Sequence, residues 1–93
     1  MIVYAPDADA DVDRLHIRLL ELSEGAANSF ETLMARAERR IDARPRAYRL
    51  LNDGKTRRYS FRMNRTSYLI DFRVEPTQIV VLRVWHGRQA RPS

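Results

Sequence analysis

The sequence predicts an α+β domain: a short N-terminal strand, an antiparallel helical hairpin, and a mainly antiparallel sheet of four to five strands on which the hairpin packs. Three observations carry this expectation. Apolar residues recur at three- and four-residue spacing through the first half, the period of an amphipathic helix. After Pro45 the apolar period drops to two, the period of a strand. Short breaks containing Gly, Pro, Asn or Asp separate the segments. With 93 residues the chain makes one domain, 1–93, since cores divide only in considerably longer chains.

Each element has its own signal. Met1–Ala5 is short and apolar, reads as the first strand, and is closed by Pro6-Asp7. Asp7, Asp9 and Asp11 then place negative charge where a helix N-terminus favours it, and they read as solvated. Val12, Leu15, Leu19 and Leu22 form one apolar stripe, and Gly25 is the expected residue just beyond that helix. Ala26, Phe30, Leu33, Met34, Ala37 and Ile41 line one side of a second helix, which Pro45 stops. So short a connection predicts an antiparallel pair.

Tyr48 to Leu51 runs into Asn52-Asp53-Gly54, a hairpin signal. Tyr59, Phe61 and Met63 alternate with Arg58, Ser60 and Arg62. Tyr68, Ile70, Phe72 and Val74 alternate with Leu69, Asp71 and Arg73, and Glu75-Pro76-Thr77-Gln78 is a turn. Ile79 to Val84 is almost continuously aliphatic, as an interior strand covered on both faces would be. On this assignment the polar face of the sheet carries Arg58, Arg62, Arg73 and Arg83. Arg58, Arg62, Arg73 and Arg88 are expected to converge near the end of the last strand, and with Arg83 they make a basic face for a target or an acidic partner.

The charge distribution says more than the net +5. Residues 1–35 hold two arginines against seven carboxylates, net −5, whereas residues 36–93 hold fifteen basic against five acidic side chains, net +10. Lys55 is the only lysine beside sixteen arginines. Arginine's planar fork suits carboxylate, phosphate and base edges, so the basic half points to an anionic partner. Without cysteine there is no disulfide framework and no zinc knuckle, which fits a cytoplasmic setting. The N-terminus has no basic segment followed by an apolar one, so no signal peptide is expected. No aliphatic run approaches the length that spans a bilayer.

Metal and nucleophile chemistry find little support. His16 sits at the margin of the first helical stripe with no second ligand at helical spacing, and reads as a structural histidine. The early aspartates lack the glycine and glutamate offsets of a calcium loop. Ser29, Ser60 and Ser67 have no nucleophile-elbow context. No cofactor and no metal are expected. Trp85-His86-Gly87-Arg88 is different. It gathers an indole, an imidazole and a guanidinium at one strand end, either as a capped terminus or as a site.

The segments Arg57-Arg58-Tyr59, Tyr68 to Val74 and Ile79 to Arg88, ending in Trp85-His86-Gly87-Arg88, resemble the RelE/ParE superfamily of type II toxins. The resemblance implies the helical-hairpin-on-sheet fold and a cognate antitoxin encoded by an adjacent gene, as in plasmid-stabilisation systems. It implies one of two activities: ParE-like inhibition of DNA gyrase, or RelE-like cleavage of mRNA on the ribosome. The RelE-like pattern has basic residues where this chain has Ser60 and Leu69, and a late tyrosine that is missing after Tyr68. Arg62 and Arg88 do match, and with His86 they would form the catalytic set of a ribonuclease. The Trp-His-Gly-Arg ending is the ParE-like form, so a gyrase inhibitor is the first expectation and an mRNA interferase the alternative. Ile17 and Leu20 lie off the apolar stripe and are the expected contacts for an amphipathic antitoxin helix.

Overall fold

The structure, a computed structural model, describes residues 1–89 and 91–93. Strand β1 (Ile2–Tyr4) is followed by helices α1 (Pro6–Leu22) and α2 (Glu24–Ala43), a 3-10 turn (Pro45–Ala47), and strands β2 (Arg49–Leu50), β3 (Thr56–Met63), β4 (Thr66–Val74) and β5 (Ile79–His86). The five strands form one sheet in the order β1-β5-β4-β3-β2. β1 runs parallel to β5 and every other pairing is antiparallel. The expected α+β architecture is therefore present, and its last strand lies inside the sheet.

The hairpin packs on one sheet face because its apolar residues have the required spacing. Leu15 and Leu19 of α1 and Ala27, Phe30, Met34, Ala37 and Ile41 of α2 join Tyr59, Met63, Tyr68, Ile70, Phe72, Ile79, Val81 and Val84 in one core. Phe30, Ile41, Ile70, Phe72, Val81 and Val84 are its largest fully buried side chains. Phe30 and Phe61 both pack on Tyr68, with centroids 5.5 and 5.4 Å away.

The helix boundary departs from expectation. α1 ends at Leu22, and Ser23 serves both helices: its N–H donates to the Leu19 carbonyl and its Oγ accepts from the Ala26 N–H at 3.0 Å. Gly25 lies inside the first turn of α2, so it is not the residue that ends α1. Serine's preference for the N-cap outweighs glycine's for the helix end here. Leu22, expected in the stripe, is 76% exposed because it sits at the end of the helix.

Two turns shape the sheet. Asn64 and Arg65 have φ of 50° and 66°, and they join Met63 to Thr66 as the two-residue connection of a β-hairpin. A β-bulge follows: Phe72 pairs with Val81 but Asp71 with Arg83, so Leu82 is an extra residue in β5. The bulge reverses the alternation. Ile79 and Val81 face the helices before it, and Val84 and His86 after it. His86 therefore lies on the helix side of the sheet, and Arg83 and Trp85 on the other.

Candidate functional site at the end of the last strand

β1 ends at Tyr4, with the Ala5 N–H donating to the Val81 carbonyl, so the rest of that β5 edge has no strand beside it. Asp11 of α1 fills the gap. Its Oδ2 accepts from the Val84 N–H at 2.9 Å and from Arg83 Nε at 2.7 Å, and its Oδ1 accepts from Arg83 Nη2 and Arg14 Nη2. Asp11 is 1% exposed, which overturns its reading as part of a solvated helix start. Burial pushes its carboxyl up, but Arg83, the Val84 N–H and Arg14 outweigh that and hold it below its ordinary value. The same hydrogen bonds raise Arg83.

On the opposite face Arg83 lies over the Trp85 ring, 4.2 Å from its centroid. Trp85 Nε1 donates to Asp71 Oδ2 at 2.8 Å, and Arg58 grips both Asp71 oxygens at 2.6 and 2.9 Å. Arg58 also donates to the Pro92 carbonyl, and the Asn52 N–H to the Ser93 carbonyl, so the last residues cross this face. Arg58 and Arg83 thus have carboxylate partners within the chain. Leu69 is buried beside them.

The expected convergence of Arg58, Arg62, Arg73 and Arg88 does not occur. Arg73 pairs with Val80 near the start of β5, the far end of the strand from Arg88. Its Nε is buried without a hydrogen-bond partner. Arg58 sits mid-sheet against Asp71. Arg62 is exposed at the β3–β4 hairpin, where it donates to the Arg65 carbonyl at 3.4 Å.

What gathers at the strand end is a different set. Arg14 and Arg18, one helical turn apart on α1, line a cleft of about 450 Å³ with Leu15, Thr66, His86, Arg88 and Gln89. Among the described residues Arg18 and Arg88 have no carboxylate partner. The imidazole meets the Tyr68 ring edge-on at 5.6 Å. Its Nδ1 accepts from the Arg88 N–H at 3.2 Å, which leaves the ring proton of the neutral form on Nε2. Burial, and then the charges of Arg18 and Arg88, hold His86 below its ordinary value, so it is neutral at pH 7. Gln89 closes the turn: its Oε1 accepts the His86 N–H at 2.6 Å, and its own N–H donates to the His86 carbonyl.

Gly87 is required by contact. Its N–H donates to the Ser67 carbonyl at 2.7 Å, and a Cβ at position 87 would lie 2.7 Å from that oxygen. Sequence reasoning found His86, Gly87 and Arg88 but missed Arg14 and Arg18, whose four-residue spacing was the available signal. Ile17 and Leu20 are 58% and 49% exposed, off the core as expected. His16 pairs with Glu31 of α2 at 3.0 Å. Among the described residues no cluster of side chains could hold a metal ion, and no helix is long and apolar enough to cross a membrane.

A hairpin on a five-stranded, mostly antiparallel mixed sheet is consistent with the RelE/ParE fold of small toxin domains. Residues 2–91 match the family described as ParE toxin of type II toxin-antitoxin system, parDE. The chain belongs to the ParE toxin family, and membership implies a cognate antitoxin partner. No individual curated protein matches it significantly.

Proposed function

We propose that this ParE toxin is a non-enzymatic inhibitor of DNA gyrase, acting in the cytoplasm and neutralised by an antitoxin helix docked over Ile17 and Leu20. One observation carries the choice of target. A metal-free ribonuclease needs free cations and proton-transfer groups around a phosphodiester. On the open sheet face Arg58 is held by Asp71, Arg83 by Asp11, and position 69 is a buried leucine. Arg62 and Arg73, arginines of that face without a carboxylate partner among the described residues, stand at opposite ends of β3 and β4, whereas Arg18 and Arg88 lie on the helix side with His86. They suit the binding of an anionic surface.

The second reading, a ribosome-dependent mRNA interferase, has one observation in its favour. A neutral His86 beside Arg18 and Arg88 is a competent general base. Purified toxin assayed on gyrase supercoiling and on ribosome-bound mRNA separates the two. Inhibited supercoiling with intact message supports the gyrase reading. Codon-specific cleavage lost in His86→Ala, with supercoiling untouched, overturns it.

A further inference from the structure

The cationic cleft continues into an apolar one. A second volume of about 260 Å³ shares Leu15, Arg18, Thr66 and His86 with it and is walled by Leu19, Leu22, Ala26, Met63 and Tyr68. Together they fall within the size range of ordinary ligand clefts. One end holds three guanidinium groups, the other aliphatic and aromatic carbon, with the amide of Asn64 and the hydroxyl of Thr66 at the rim. Arg18 stands between them. Its charge acts on His86 in one direction and on Tyr68 in the other.

Charge decides what such a cleft takes. Arg14 shares Asp11 with Arg83, but Arg18 and Arg88 line the cleft with His86 and, among the described residues, have no carboxylate partner. All three arginines are exposed, and like charges lining one cleft repel, a repulsion that an anion of more than one charge turns into attraction. A single carboxylate leaves arginines over. Phosphate offers several acceptor oxygens for guanidinium forks, and here the donors come from α1 and the strand end together. The apolar end requires that the phosphate be carried on a flat, largely apolar body with polar edges.

We propose that this two-part cleft is a nucleotide site, with phosphates on Arg14, Arg18 and Arg88 and the base against Met63, Leu19 and Tyr68. The assignment is independent of the gyrase reading, since it concerns a small ligand and is tested without any target protein. The phosphate could also be one of a nucleic-acid backbone, and the experiment separates these sources.

The purified full-length toxin is titrated by calorimetry with ADP, adenosine, inorganic pyrophosphate and a ten-nucleotide single strand. ADP is expected to bind more tightly than pyrophosphate or adenosine, and Arg18→Ala and Arg88→Ala each to weaken it about tenfold, the loss of a charge-assisted contact. Met63→Leu, which keeps the core filled, should weaken ADP but not pyrophosphate. Thermal melts establish that each variant is folded. The His86 imidazole resonances of the wild-type protein should move with ADP, a readout that needs no variant. Pyrophosphate binding as tightly as ADP would remove the base from the proposal. Binding of the single strand without ADP would assign the arginines to a nucleic-acid backbone and overturn the nucleotide site, as would no binding of any of the four.

Discussion

The Asp11 carboxylate accepts the Val84 N–H at 2.9 Å across 73 positions of sequence, and so it stands where the next residue of β1 would have been. A helix side chain completes the edge of a central strand. Three of its four hydrogen bonds tie α1 to β5, and the fourth comes from Arg14 of the cationic cleft. The same carboxylate therefore supports both the fold and the wall of the site.

Replacing Asp11 separates its roles. Asp11→Ala leaves the Val84 N–H without an acceptor, a loss of about 1–3 kcal/mol for the orphaned group alone, to which Arg83 adds. Asp11→Asn keeps an oxygen for Val84 and should lose less. Urea unfolding of the three proteins measures the order, and an Asp11→Ala protein as stable as wild type would show that the edge is not held this way.

Acid should loosen the same contact. The Asp11 carboxyl lies below its ordinary 3.8 in the folded protein. The unfolded chain therefore takes up the proton first, so the contribution is complete above about pH 4 and declines as pH falls through the folded value. His86 adds a separate window with the same sign. Its folded value lies below 6.5, and stability falls as pH drops from about 6.5 toward it. Unfolding free energies from pH 7 to 3 should show both windows, with the lower one absent in Asp11→Asn.

Gly87→Ala tests the geometry of the strand end. The added methyl would meet the Ser67 carbonyl oxygen, a backbone atom with little room to move. The expected cost is about 1–3 kcal/mol, in the range of overpacking. Toxicity should drop further than stability alone explains, because His86 and Arg88 are displaced with the turn. Thermal melts beside growth-arrest assays compare the two effects.

Arg58 and Arg62 look alike in sequence and should behave differently. Arg58→Ala strands the buried Asp71 with only Trp85 as donor, which costs about 3–5 kcal/mol when one partner of a buried pair is removed. Arg62 is exposed, and Arg62→Ala should change stability by no more than about 0.5 kcal/mol. Chemical denaturation of both proteins decides it, and equal losses would contradict the structure.

Antitoxin binding should depend on the outer side of α1. Ile17→Asp with Leu20→Asp changes only exposed positions, so the toxin should fold normally while complex formation fails. Affinity measured by calorimetry, with melts as the folding control, gives the answer. An unchanged affinity would move the antitoxin contact elsewhere.

The elements were legible in the sequence because each rests on local periodicity. Phe30, Met34, Ala37 and Ile41 keep helical spacing, and Tyr68, Ile70 and Phe72 keep strand spacing, so their faces could be read directly. The site was less legible because two non-local events made it. The Leu82 bulge turned His86 toward the helices, and nothing in an aliphatic run marks which residue will be extra. Asp11 sits among aspartates that suit a helix start, and its partners lie more than seventy residues away. Arg14 and Arg18 were overlooked because they belong to the acidic part of the chain. Gly25 misled because Ser23 already supplied the boundary.

The last of the five strands in the chain lies inside the sheet. β5 lies between β1 and β4, and its register joins Ile2–Tyr4 to Ile79–Val81 across nearly the whole chain. Until β5 is available β1 has no neighbour, Asp11 has only Arg14 of its own helix, and the Ile70 to Phe72 stretch of β4 lacks half its pairing. High separation between contacting segments slows folding and delays the final structure. The cleft around His86 and Arg88 forms only at that closing step, when β5 enters between β1 and β4. The exposed side of α1, with Ile17 and Leu20, precedes four of the five strands in the chain and does not wait for that step.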